Sequence, residues 1–310
     1  GKGSKRPDDA EGNKQSYFCG VRMLGFNKNI TGIYIGSKAI VAVEAARAGG
    51  IWALKRHFTA SVPEPLSLEM LKDCFKRMTS SGIKAGKVSL SISDTLVSAV
   101  FMDINELPRD AGEAYEIVRW KAAKWLNRSP KELRAAYQAY EGNGKTRVLV
   151  AAISEETAAL YEAALSAAGM TVARINIHSF NLDNLLAEGA ALSGNFSVVS
   201  AMDGFISVRI FKDGVLDFYR CKPVEGREEE IPKELGASFL SYRGKNPDIP
   251  LDRIYFFEGQ DAVEASVGKI SSVQAERIRT ESLVRLNGFT MSQGVDVPGL
   301  LAALGALAGI

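Results

Sequence analysis

The stretch ITGIYIGSKAIVAVEAARAGGIWALKRHF, residues 30–58, decides how the rest of the chain is read. Residues 30–35 are dense in β-branched side chains. Gly36 and Ser37 then make a turn, residues 39–45 form a second apolar run, and Gly49 and Gly50 lead into a third at 51–58. This pattern predicts a three-stranded antiparallel meander. Leu68, Leu71, Cys74, Phe75 and Met78 follow at three- and four-residue spacing, which predicts a helix over 68–80, and residues 87–92 return as a buried strand.

The meander recurs further along. Residues 196–201, 205–211 and 215–221 repeat strand, turn, strand, glycine turn and strand, with Lys212-Asp213-Gly214 as the second turn. Gly214 lies 165 residues after Gly49 (214 − 49). Two such units, each followed by helices, imply two related lobes facing each other across a cleft. Between them, residues 95–104 alternate like a strand, 110–126 read as a helix, 133–140 as strand or helix, and 147–153 as an apolar strand. These make a small α+β insertion in the first lobe. A helix capped by Ser154, with Glu155 and Glu156 in its first turn, runs to Ala168 and closes at Gly169. Strand 172–177, helix 181–191, helix 234–242, strand 253–258, helix 262–270 and a small-residue helix 298–310 complete the reading.

Composition narrows the function classes. The 310 residues carry 38 Lys and Arg against 36 Asp and Glu, a net +2 that argues against a dedicated nucleic-acid binder. Three widely spaced cysteines, Cys19, Cys74 and Cys221, form neither a zinc spacing nor a disulfide framework, which fits a reducing compartment. Residues 297–310 form an uncharged run of 14, short of the ~20 a membrane helix needs. Residues 1–16 mix both charges without an apolar run and read as a flexible polar leader, not a signal peptide.

The order of these elements resembles the PilM group of actin-like type IV pilus assembly proteins, related to FtsA and to GspL of type II secretion. The matching words are residues 31–37, TGIYIGS; 106–109, ELPR; 119–126, RWKAAKWL; 148–153 with the Ala-rich helix after it; 211–214, FKDG; 238–243, SFLSYR; and 253–255, RIY. The resemblance implies an α/β, bilobal actin-like fold of the duplicated RNase H type, with a small inserted α+β subdomain and a truncated second-lobe lid. It puts the first lobe at 17–192 with the insertion at about 87–147, and the second at 193–310, the final helix 298–310 packing back on the first lobe.

Phosphate chemistry departs from that family. Actin-like ATPases place an Asp in the first meander to hold hydrated magnesium, and Tyr34 stands there in this chain. A neutral phenol cannot replace a carboxylate beside a hard cation. Gly36, Ser37 and Lys38 keep a degenerate phosphate turn. In the second meander Ser200, Met202 and Ile206 fall where Asp, Gly and Thr belong, and Asp203-Gly204 reads as an ordinary turn. The adenosine glycines are reduced to Phe256-Phe257-Glu258-Gly259-Gln260. These departures imply a pseudo-ATPase without ATP or magnesium.

His57 and His178 lack nearby nucleophile or metal partners in sequence and read as strand-end or surface residues. On the insertion helix, Tyr115, Val118, Ala122 and Leu126 form the core-facing stripe, beside Trp120 and Trp125. One Trp is expected in the core and the other at a groove lip. The resemblance implies such a groove between insertion and main lobe, taking the cytoplasmic N-terminal peptide of a bitopic PilN-like protein, with Trp120, Trp125 and Leu126 as candidate contacts. The implied role is a cytoplasmic scaffold held at the inner membrane indirectly, through its partners. The alternatives are an actin-like ATPase with unusual ligands and a nucleotide-free membrane-associated adaptor.

Overall fold

Glycine and serine between apolar runs turn the chain back on itself at once. β1 (Ile30–Ile35), β2 (Ala39–Ala48) and β3 (Ile51–Ser61) pair antiparallel, with Ile35 opposite Ile40 across the Gly36 turn. The structure is a computed structural model describing residues 30–48, 51–62, 66–141, 145–189, 192, 194–224, 227–270, 273–285 and 296–308. The expected polar leader and the last two residues of the expected final helix lie outside them. Ser67 accepts the Met70 N–H at 3.4 Å and caps α1 (Leu68–Ser80), which buries Leu71, Cys74, Phe75 and Met78. β4 (Lys87–Ile92) pairs parallel with β1, β8 (Thr171–Ile177) adds outside β4, and β14 (Val284–Arg285) adds outside β3. The first sheet therefore runs β14-β3-β2-β1-β4-β8, with β8 as its outermost strand on that side among the described residues.

The second sheet repeats this plan. β9 (Phe196–Met202), β10 (Phe205–Lys212) and β11 (Val215–Pro223) form the meander, β12 (Arg253–Phe257) pairs parallel with β9, and β13 (Gln274–Ile278) lies outside it. Both hairpins close through two left-handed residues: Asp203 and Gly204 at φ +56° and +76°, Asp213 and Gly214 at +49° and +77°. Asp-Gly suits that geometry because Asp tolerates positive φ and Gly has no Cβ to clash.

The insertion is a separate sheet of β5 (Val97–Ile104), β7 (Thr146–Ser154) and β6 (Leu133–Glu141), in the order β5-β7-β6. This corrects the expected limits of 87–147. Residues 87–92 are a strand of the main sheet, because Val88, Leu90 and Ile92 bury one side in the first lobe's core. The strand at 146–154 is instead the centre of the insertion. Asp110 caps α2 (Ala111–Leu126) by accepting the Glu113 N–H at 2.9 Å, and Asn127 ends it in the left-handed conformation at φ +53°. α2 lays Val118 and Ala122 on the sheet face bearing Val148, Val150 and Ile104.

α3 (Glu155–Ser166) and α1 cover one side of the first sheet; α5 (Glu230–Lys245) and α6 (Asp261–Ile270) cover one side of the second. Ser154 stands at the α3 N-cap without a side-chain capping bond. The short α7 (Thr280–Leu283) leads into β14, and between the sheets lie α4 (His178–Gly189) and α8 (Val297–Gly305), in one apolar core containing Tyr34, Val41, Leu185, Phe196, Val198, Leu300 and Leu304. α8 sits directly on β1: a Cβ on Gly32 would overlap the Ala303 carbonyl oxygen, so only glycine allows this approach. No described helix is long and apolar enough to cross a membrane.

Candidate functional site

The two hairpin turns meet where the lobes face each other. Ile35 pairs with Ile40 in the first hairpin and Met202 with Phe205 in the second, so position 37 of one matches position 203 of the other, an offset of 166. Those matched residues touch. The Ser37 N–H donates to both Asp203 carboxylate oxygens at 2.9 and 2.8 Å, the Ser37 hydroxyl donates at 2.5 Å, and the Tyr34 hydroxyl donates at 3.0 Å. An anion therefore already sits on the Gly36-Ser37-Lys38 turn, supplied by the chain itself. Tyr34 folds back over the turn, where a Cβ on Gly36 would overlap its ring and hydroxyl. Burial, followed by the Asp203 charge, pushes the Tyr34 hydroxyl far above its usual range, which keeps it a donor. Lys38 points into solvent. Asp203-Gly204 is the expected turn, but its carboxylate joins the lobes.

A buried polar network lies beneath this contact. Asp94, just after β4, accepts the Ser179 N–H at 3.0 Å, the Ser179 hydroxyl, and the Tyr219 hydroxyl at 2.8 Å. Arg209, at the centre of β10 and fully buried, donates to Asp183 of α4 at 2.9 Å and to the hydroxyls of Ser200 and Ser207 at 2.9 and 2.6 Å. Burial raises the Asp94 carboxyl against the pull of Ser179 and Tyr219, and raises Asp183 to about 6 against the pull of Arg209. Arg209 is thus bonded to Asp183 alone and acts on Asp94 only through its charge, while Ser179 and Tyr219 supply the Asp94 donors.

His178 corrects the sequence reading. It is fully buried, at the start of α4, between the rings of Tyr34 at 5.3 Å and Phe205 at 6.1 Å. Neither ring nitrogen has a hydrogen-bond partner among the described residues, and burial lowers its pKa to about 3. His57 is half-buried on β3. Ser200 belongs to the serine–arginine cluster and Met202 is half-buried beside the Asp203 turn. Phe256 and Phe257 are core residues, Gly259 turns at φ +81°, and Gln260 accepts the Ala201 N–H at 3.3 Å.

A groove of about 250 Å³ opens between the insertion and the main lobe. Its floor includes Val97, Ala151 and Ile153 from the insertion face opposite α2, and it takes Arg134, Ala135 and Ala136 from β6. From β8 it takes all six residues 172–177. A strand face would contribute alternate residues, so an unbroken run means that the β8 edge borders the groove. Arg134 is held at one end by ion pairs to Glu155 and Glu162. Trp120, Trp125 and Leu126 do not line the groove; they lie on α2, across the insertion sheet from it. The expectation that one Trp is core is also corrected. Trp120 is 56% exposed and Trp125 55%, because α2 buries Ala114, Val118, Ala122 and Ala123, leaving Tyr115 and Leu126 only half-buried.

Neither a family model nor a curated protein matches the sequence. Solved structures do. The PilM–PilN type IV pilus biogenesis complex contains a chain with a TM-score of 0.72 at 19% identity, over 90% of this chain and 97% of that one. The chain has the actin-like ATPase fold. Further structures with this fold include a Bacteroides thetaiotaomicron protein of unknown function, with a TM-score of 0.53 at 13% identity, covering 81% of this chain and 91% of that one. The cytoplasmic domain of EpsL, an inner-membrane component of the Vibrio cholerae type II secretion system, gives 0.51 at 10% identity, over 91% and 95%. Within the actin-like fold, the Asp203–Ser37 contact lies in the cleft between the lobes, and the groove lies beside the insertion.

Proposed function

We propose that this chain is a non-catalytic scaffold of a type IV pilus or type II secretion assembly platform, which binds a short cytoplasmic segment of a PilN-type membrane protein. It would be peripheral at the inner membrane through that partner. The observation that carries this reading is the likeness to the PilM–PilN complex over nine tenths of the chain, joined to the groove at the β8 edge. An outermost strand to which no described strand pairs, beside a small apolar floor, suits an extended peptide: backbone bonds to the edge supply affinity, and alternate side chains enter the groove.

The cleft supports a role without nucleotide chemistry. The residues present do not fit a magnesium nucleotide. Tyr34 stands in place of a metal-directed carboxylate, the turn's N–H is spent on Asp203, and Ser200 is tied to buried Arg209. A phosphate would first have to displace a carboxylate and then meet its negative charge.

Calorimetry with a synthetic N-terminal segment of a PilN-type protein tests the scaffold reading. Ala136→Arg, which fills the groove, is expected to weaken binding at least tenfold while leaving the fold intact. No binding to the wild-type chain, or equal binding by the variant, would refute the peptide site. Magnesium-dependent ATP hydrolysis by the purified chain would refute the non-catalytic reading.

A further inference from the structure

The second half of α2 and the turn that follows it gather cations. Residues 119–131 hold Arg119, Lys121, Lys124, Arg128 and Lys131 and no acidic residue, more net positive charge than the +2 of the entire chain. Two of the three tryptophans stand in the same segment, both more than half exposed. At 100° per residue, Trp120, Lys124, Ile117, Lys121 and Trp125 fall in that order within an arc of about 140°. The lysines lie between the two rings. Lys124 Nζ rests 5.4 Å from the Trp120 ring centre, and the Arg119 guanidinium lies over Tyr115 at 5.5 Å. Of the acids on the preceding turns, Glu116 is paired with Arg119, and exposed Glu113 falls on the same arc between Trp120 and Lys124 but about two turns nearer the helix start. Glu132, beyond the segment, is engaged in the capping box of Ser129.

We propose that this face docks directly onto an anionic bilayer. Two exposed indoles flanking lysines are the chemistry of a membrane interface, where rings sit at headgroup level and ammonium groups meet lipid phosphates. The shape favours lipid over an acidic protein. The face is a helical ridge, and neither the groove beside β8 nor the small cavity around Phe180 and Phe211 is lined by an α2 residue. A fluid surface moulds around protruding rings without needing a pocket. The peptide groove opens on the opposite face of the same sheet, so both contacts can coexist, and the lipid contact does not depend on the peptide.

The test is co-sedimentation of the full chain with vesicles of phosphatidylcholine alone, or containing phosphatidylglycerol at about one third. Binding is expected to the anionic vesicles and to fall with added salt. Lys121→Glu with Lys124→Glu should weaken it at least tenfold, whereas Lys245→Glu with Lys269→Glu, exposed residues on α5 and α6, should not, although the net charge change is equal. Trp fluorescence should shift to the blue on binding and be quenched by brominated lipid, and Trp120→Ser with Trp125→Ser should abolish both signals. Unchanged melting curves establish that these surface variants fold. The proposal is overturned by absence of anionic vesicle binding, by equal losses in the two charge-reversed pairs, or by vesicle binding that survives loss of both tryptophans. Capture of an acidic protein by the α2 face without vesicle binding would also overturn it.

Discussion

Removing the Asp203 carboxylate should loosen one lobe from the other by an amount that its contacts allow to be worked out. It accepts from the Ser37 N–H, the Ser37 hydroxyl and the Tyr34 hydroxyl, all partly buried. Hydrogen bonds to a charged group contribute about 1.5–3 kcal/mol, and three on one carboxylate are not additive. Asp203→Gly keeps the left-handed turn at φ +56° without strain and should lower stability by about 2–4 kcal/mol. Asp203→Ala should lose about 1 kcal/mol more, because alanine resists that conformation. Tyr34→Phe, which leaves the Ser37 bonds in place, should lose about 1–2 kcal/mol. Urea unfolding of the wild type, Asp203→Gly, Ser37→Ala and the double variant forms a cycle whose coupling should be about 1–2 kcal/mol. A coupling near zero, or an unchanged midpoint for Asp203→Gly, would show that the contact holds nothing together.

Gly32→Ala and Gly305→Ala would drive a methyl group into the carbonyl oxygens of Ala303 and Asn181, so each should lower stability by about 3 kcal/mol in thermal melts; wild-type melting of both would refute the packing of α8. His178 is neutral when folded, with a pKa of about 3, so the unfolded chain takes up a proton first, and stability is lost as pH falls from about 6.5 towards 3, by about 1.4 kcal/mol per unit. Asp183, raised to about 6, acts oppositely: stability is lost as pH rises from about 4 to about 6, so the two slopes offset there. His178→Phe should therefore expose the Asp183 slope between pH 4 and 6 in urea midpoints; a flat profile in the variant would refute it. Asp183→Ala, which strips buried Arg209 of its ion pair, should destabilise by about 3–5 kcal/mol, and Asp183→Asn, which can still accept from Arg209, by less.

The meanders were legible in the sequence because their turns are chemically marked. Asp203-Gly204 and Asp213-Gly214 admit left-handed backbone angles that apolar neighbours resist, and Gly36-Ser37 interrupts two β-branched runs with residues that favour turns. β13 was not legible: it exposes Gln274 to Arg277 and buries only Ile278, so no alternation records its parallel pairing with β12. α4 begins at His178, earlier than the expected 181, because its polar first turn, His178-Ser179, reads as a loop until Asp94 is there to meet it. The contact of Asp203 with Ser37 and Tyr34 was hidden for a related reason. Asp203-Gly204 signals a turn whatever its carboxylate touches, and its partners lie 166 and 169 residues away. Arg209 did carry a local signal. A cation inside Phe205–Phe211, an otherwise apolar strand, must be buried, which calls for a buried carboxylate elsewhere; the sequence could announce that need without naming Asp183. Trp120 and Trp125 read as groove or core because aromatic rings beside alanines suggest packing, whereas the sheet beneath α2 is narrow enough for small residues to cover it.

The seating of α8 on β1 joins positions 271 residues apart, Gly32 and Ala303 (303 − 32). At about 5–20 residues per second, a ribosome needs roughly 15–55 s to travel that distance. Throughout that interval the face of β1 and β2 that α8 will cover is bare in the nascent chain, with Val41, Val43 and Tyr34 open to water. The first lobe can form β1 to β4 and β8 early, but the edge strand β14 and the cover of its inner side wait for the end of the chain, and with them the joining of the lobes. Chaperone dependence should accordingly concentrate late in translation. Slow codons placed before residue 297 would lengthen the vulnerable period, while the same codons placed before residue 30 would not.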